Sequence, residues 1–128
     1  MTMNPLLLMG GVGISGALGA VARYLLGRFI AERSGSQIPW GTLIINITGA
    51  FLIGLVFALT AQKVLSPALQ SLLATGFLGG YTTFSTMNWE GLQLARGGGM
   101  AQCMLYLGGT FFFGLVAETL GMVLGRSL

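Results

Sequence analysis

Apolar residues run along this chain in four long blocks, about 5–31, 40–62, 67–94 and 100–125, separated by its few charges and turn formers. Each block matches or exceeds the ~20 residues that cross a hydrocarbon core as a helix. None alternates with the period of two that a barrel strand requires. Backbone polar groups in lipid must bond internally, so the pattern predicts helices. The expected fold is an all-α membrane protein, a single transmembrane domain over 1–128 with four spanning helices. Ala20, Val21 and Ala22 form a small-x-small pattern of the kind that ends a signal peptide. No basic residue precedes that block and its apolar run is too long, so it reads as a retained helix.

The third block departs from the pattern at its middle, where residues 76–90 read GFLGGYTTFSTMNWE. Gly76, Gly79 and Gly80 each weaken a helix by ~1 kcal/mol relative to Ala. The hydroxyls of Thr82 and Thr83 compete for backbone hydrogen bonds. A helix broken in mid-membrane is therefore expected, tolerated only where it is buried in protein or lines a cavity. Carbonyls freed by such a break are ligands for a hard cation. Beyond it, Phe84, Ser85, Thr86 and Met87 should resume a helix with Phe84 and Met87 on one face. The edge of an aromatic ring is electropositive and can meet an anion.

Other polar positions interrupt the remaining blocks. Asn46 lies one turn after Thr42 and one turn before Ala50, which puts an amide on a small, polar face. Two roles suit it: an interhelical hydrogen bond, or a donor lining a pore. Arg23, late in the first helix, can snorkel to the interface or pair within the protein. In the last helix Tyr106, Thr110 and Gly114 recur every fourth residue, a stripe that serves either a hydrogen-bonding track or close packing. Glu118 lies two turns beyond Thr110 on roughly the same side and should face protein or water near a helix end.

Composition narrows the chemistry. The chain is 54% hydrophobic and 7% charged, against roughly 25% charged in an ordinary soluble domain. Histidine and aspartate are absent, and Glu32, Glu90 and Glu118 are the only acids. Acid–base, nucleophilic and zinc chemistry draw on such groups, which argues against an enzyme. Cys103, the single cysteine, supports neither a disulfide nor a metal cluster and reads as a small buried apolar residue. A net charge of +3, scattered along the chain, gives no nucleic-acid footprint. The 22 glycines exceed ordinary usage, and the spacings of Gly11, Ser15 and Gly19, and of Gly121 and Gly125, suit close helix contact. SGSQIPWG at 34–41 is a connector with Trp40 as an interfacial anchor, and RGGGM at 96–100 is a loop.

Four helices put both termini on one side of the membrane with Lys63 and Arg126, and Arg28, Arg33 and Arg96 on the other. So even a division gives no clear orientation. A chain that inserts both ways can pair antiparallel with a second copy and so build an inverted repeat. Four thin helices are also too few to enclose an aqueous path, a second reason to expect a dimer.

GFLGGYTTFSTMNWE, with GTLIIN upstream and a basic residue late in the first helix, resembles the small fluoride channels of the CrcB/Fluc family across the whole chain. The resemblance implies a passive fluoride-selective channel of the bacterial inner membrane, a dual-topology antiparallel homodimer with two fluoride pathways. It also implies a structural sodium ion, held at the dimer centre by backbone carbonyls of Gly79 and Thr82. By the same resemblance Asn46, Phe84, Tyr106 and Thr110 belong to the fluoride pore. Thr83 and Ser85 add hydroxyls near the path, and Glu90 stands at the pore mouth. Met87 occupies the place of the family's second phenylalanine and lacks a ring edge. Two other readings compete: a small proton-coupled multidrug exporter and a non-transporting assembly subunit. The exporter needs an embedded carboxylate in the first helix, which here holds none before Glu32.

Overall fold

A computed structural model describes residues 4–128. Helix α1 spans Pro5–Ser34, α2 spans Trp40–Ala61 and α5 spans Met100–Ser127. The third block divides into α3, residues 67–81, and α4, Phe84–Arg96. Within α3 an α-helical start, Pro67–Gln70, passes into a π-helical stretch, Ser71–Leu78, and closes as Gly79–Tyr81. No strand occurs among the described residues.

The helix ends follow local chemistry. The Asn4 side chain accepts from the Leu6 N–H at 2.8 Å, with Pro5 at the first helical position. Ser66 and Pro67 open α3 in the same way. α1 runs to Ser34 rather than 31, because its stop is Gly35 in the left-handed conformation at φ 58°. The connector is correspondingly short, and Trp40 opens α2. Helices α1, α2 and α5 are each long and apolar enough to cross a membrane. Neither half of the third block is, since the break divides it.

Small residues set how closely these helices approach. A Cβ on Gly19 would overlap the Phe77 carbonyl, and one on Gly80 would overlap the Gly16 carbonyl. A Cβ on Gly76 would come within 2.8 Å of Ser15 Cβ. The ridge expected on α1 is thus the α1–α3 interface. The α2–α5 interface is built alike: Gly121 lies against the Phe51 carbonyl, Gly54 against the Glu118 carbonyl, and Gly125 against Ala58. The expected break within GFLGGYTTFSTMNWE is present and falls at Thr82 and Thr83, while Gly76, Gly79 and Gly80 just before it remain helical. Two of these glycines are contact points with α1, and the packing they allow outweighs their helix cost of ~1 kcal/mol each.

The protein-facing core is small: Ile45, Val56, Ala74, Leu78 and Tyr81 are buried together, and Cys103 is buried as expected. Large apolar side chains such as Leu6, Ile14, Leu105 and Phe111 point outward, the surface a hydrocarbon solvent requires. Gly80→Val should therefore collapse the yield of monodisperse protein on gel filtration in detergent. Gly10→Ala, where nothing lies within 4 Å, should leave that yield unchanged.

Candidate functional site

The site begins with two extended residues between α3 and α4. Thr82 has φ −81° and ψ 156°, and Thr83 has φ −148° and ψ 124°. Such a turn strips backbone groups of their helical partners, and each must be bonded again or remain costly. The Thr83 N–H donates to Asn46 Oδ1 at 2.9 Å, while Asn46 Nδ2 donates to the Thr83 carbonyl at 2.9 Å. One side-chain amide from α2 thus satisfies both backbone groups of Thr83. Arg23 Nε donates to the Gly80 carbonyl at 3.1 Å, so Arg23 pairs within the protein. The Thr83 hydroxyl caps α4 by accepting from the Thr86 N–H at 3.2 Å.

These substitutions have a consequence for two other carbonyls. In a continuous helix the Gly79 carbonyl would accept from the Thr83 N–H, and the Thr82 carbonyl from the Thr86 N–H. Both donors are engaged elsewhere, by Asn46 and by the Thr83 hydroxyl. Gly79 and Thr82 are therefore left with carbonyl oxygens free of their helical partners. Neutral carbonyl oxygens are the ligand type that suits a hard cation.

Two open grooves meet at Thr83. One, of about 270 Å³, is lined by Asn46, Thr82, Thr83, Phe84, Met87 and Glu118. The other, of about 350 Å³, includes Arg23, Thr42, Thr83, Thr86 and Glu90 in its wall. Beside the second, the buried Tyr106 hydroxyl donates to Glu90 Oε1 at 3.2 Å. Thr110 is buried as well, but its hydroxyl donates back to the Tyr106 carbonyl at 2.6 Å. What Thr110 presents to its surroundings is consequently its oxygen, not its proton. Asn46 retains one N–H beyond the bond to Thr83. Phe84 projects outward, 74% exposed.

Of the residues singled out from the sequence, Asn46, Thr83, Phe84, Met87 and Thr82 share one groove. Thr83 and Glu90 share the other. Gly79 lies at the helix end above the break. Ser85 is exposed and lines neither groove. Thr86 and Thr42 were not among the candidate residues. The spacing Thr83, Thr86, Glu90 puts three polar side chains on one helix face and was the available signal. Glu118 was read only as an end-of-helix acid, yet it shares a groove with Asn46 and Phe84.

A bundle of apolar helices, with one helix broken and rebonded by side chains where two open grooves meet, defines a multi-pass membrane protein with polar groups gathered at the break. The chain belongs to the CrcB family: the model described as "CrcB-like protein, Camphor Resistance (CrcB)" matches residues 11–122. It is 48% identical over 118 residues to the "Fluoride-specific ion channel FluC" of Acidobacterium capsulatum, covering 91% of this chain and 94% of that one. A protein of the same name from Thermus thermophilus is 43% identical over 117 residues, covering 91% and 92%. Another from Aquifex aeolicus is 42% identical over 118 residues, covering 91% and 95%. The family is one of ion channels, not enzymes.

Asn46→Ala should orphan both backbone groups of Thr83, at about 1–3 kcal/mol for each, and lower the unfolding temperature in detergent. Asn46→Asp can still accept from the Thr83 N–H but cannot donate to its carbonyl. Its unfolding temperature should fall between those of Ala and wild type.

Proposed function

We propose that this chain is a fluoride-selective channel of the bacterial inner membrane, through which fluoride leaves the cytoplasm passively, down its electrochemical gradient. The observation that carries this reading is the rebonded break where two open grooves meet at Thr83. Fluoride is small and strongly hydrated, so a path for it must offer hydrogen-bond donors in series, each weak enough to release it. The spare N–H of Asn46 and the hydroxyl of Thr83 are donors of that kind beside the groove. Phe84 adds a ring edge there. Tyr106 and Thr110 lie further along α5 with their hydroxyl protons engaged by Glu90 and by the Tyr106 carbonyl, so serving as donors to fluoride would require those bonds to open. Chloride is larger than fluoride, and a path fitted to the smaller ion would exclude it.

The working unit is an antiparallel homodimer with two pathways. One feature supports a second copy: Phe84 projects away from the rest of its own chain. A structural sodium ion fits the carbonyls of Gly79 and Thr82 from both chains, since their helical donors are engaged elsewhere. Its charge would raise the local potential and favour an anion nearby. The proton-coupled exporter loses ground, because Glu32 in the first helix is exposed and ion-paired with Arg28 at 2.9 Å. A non-transporting assembly subunit would leave the rebonded break and its two grooves without a purpose.

Purified protein in liposomes should pass fluoride, read by an electrode, while excluding chloride and a cationic dye. A lack of selective fluoride flux would reject the channel. Met87→Phe adds a ring edge to the groove and should change fluoride flux or selectivity. Unchanged flux and selectivity would remove any electronic role for this position.

A further inference from the structure

The larger of the two grooves that meet at Thr83 carries a charge for which the conduction path so far has no use. Its wall extends from Thr83 and Glu90 at the break, past Arg23 and Arg28 on α1, to Gln37 and Trp40 at the connector. Along α1, roughly 8 Å of helix separate Arg23 from Arg28, and roughly 9 Å more lead on to the helix end at Ser34. Arg28 therefore stands midway between the connector and the break. Arg23 is committed to the Gly80 carbonyl through Nε. Arg28 gives only its Nε, to Glu32 Oε1 at 2.9 Å, and no other bond from it occurs among the described residues. A guanidinium has five N–H donors, so its terminal amino groups stay open to a passing anion.

The Arg28–Glu32 pair is badly placed to serve as a helix brace. Glu32 lies in the last turn of α1, where the helix dipole disfavours an acid. Base before acid is also the weaker order for an i,i+4 pair. Both side chains are more than half exposed, and exposed pairs contribute little to stability. The electrostatic consequence of Glu32 is plainer. The groove wall holds two bases, Arg23 and Arg28, against one acid, Glu90. Glu32 lies outside that wall but beside Arg28, and its charge offsets the remaining positive one. Arg33 stacks over the Phe29 ring and Arg96 ends α4, and neither lines the groove.

Resting on the channel reading, we propose that Arg28 is an outer anion site that draws fluoride into this groove, and that Glu32 sets its strength by partial neutralisation. A guanidinium without a partner would hold a small anion. Shared with a carboxylate, it gathers the ion and passes it on toward Thr83 and Asn46. Charges lining a cleft raise the local concentration of an oppositely charged ion, and salt screens the effect where the charges are exposed.

The test is fluoride efflux from liposomes holding the full chain, at about 10 mM and at about 1 M of a salt with an impermeant anion, where the Debye length is ~30 Å and ~3 Å. At low salt Arg28→Gln should lower the flux about two- to fivefold, the scale of one charge acting over roughly 8 Å in a wet groove. Glu32→Gln should raise it by a similar factor, and Arg28→Lys, which keeps the charge, should stay close to wild type. At high salt all four proteins should converge. Both side chains are exposed, so none of these substitutions disturbs packing. A helix brace predicts a different pattern: each Gln variant loses the same pair, so both fluxes would move in one direction and the change would persist in salt. That pattern overturns the outer site while the channel reading stands. So does a low-salt flux unaltered in both Gln variants, or a Lys variant that falls as far as Arg28→Gln. Absence of fluoride flux from the wild type at either salt concentration overturns both.

Discussion

A backbone interrupted inside a membrane has no water to turn to, and that constraint organises this protein around Thr82 and Thr83. Breaking the third helix there frees donors and acceptors that cost ~1–3 kcal/mol each when buried without partners. The Asn46 amide matches the Thr83 N–H and carbonyl together, acting as a peptide group supplied from another helix. Arg23 occupies the Gly80 carbonyl. The Thr83 hydroxyl takes the place of a carbonyl for the Thr86 N–H and starts α4. Each of these bonds repairs the break, and together they decide which groups stay free. The carbonyls of Gly79, Tyr81 and Thr82 are among those passed over.

The glycine contacts make that repair geometrically possible. Arg23 reaches Gly80 only because α1 lies against α3 at backbone distance, with Gly16 facing Gly80 and Gly19 facing Phe77. Asn46 reaches Thr83 because Gly49, one turn further along α2, leaves room for Thr82 and Tyr81, where a Cβ would overlap the Thr82 methyl group. Thr48 adds a second tie, its hydroxyl 3.0 Å from the Tyr81 hydroxyl at the end of α3. In lipid, apolar side chains gain little by leaving their surroundings for one another, so close backbone approach and hydrogen bonds hold the helices together. The same small residues that permit packing therefore position the polar groups.

Electrostatically the site is nearly neutral at its centre and charged at its margins. Amide, hydroxyl and carbonyl groups surround the break, whereas Arg23 and Glu90 stand in one groove and Glu118 in the other. Weak donors solvate a small anion without holding it, while a fixed cation at the narrowest point would trap it.

Much of this was legible before any coordinates. Block lengths and the lack of alternation established the helical membrane fold, and GFLGGYTTFSTMNWE marked the interruption, because lipid imposes uniform demands on any chain that crosses it. The residue types Asn46, Thr83 and Phe84 also announced polar chemistry in an apolar setting. Tertiary structure decided which residues break the helix and which of the polar groups are already engaged. The glycines stayed helical because α1 packs against them, and Thr110 turned its proton inward to the Tyr106 carbonyl. Arg23 chose the Gly80 carbonyl over the interface, and Glu118 came to face the break from another helix. A linear pattern records what each residue can bond to. Only the packed helices determine which partner lies within reach, since those partners are separated by many residues in sequence and by about 3 Å in space.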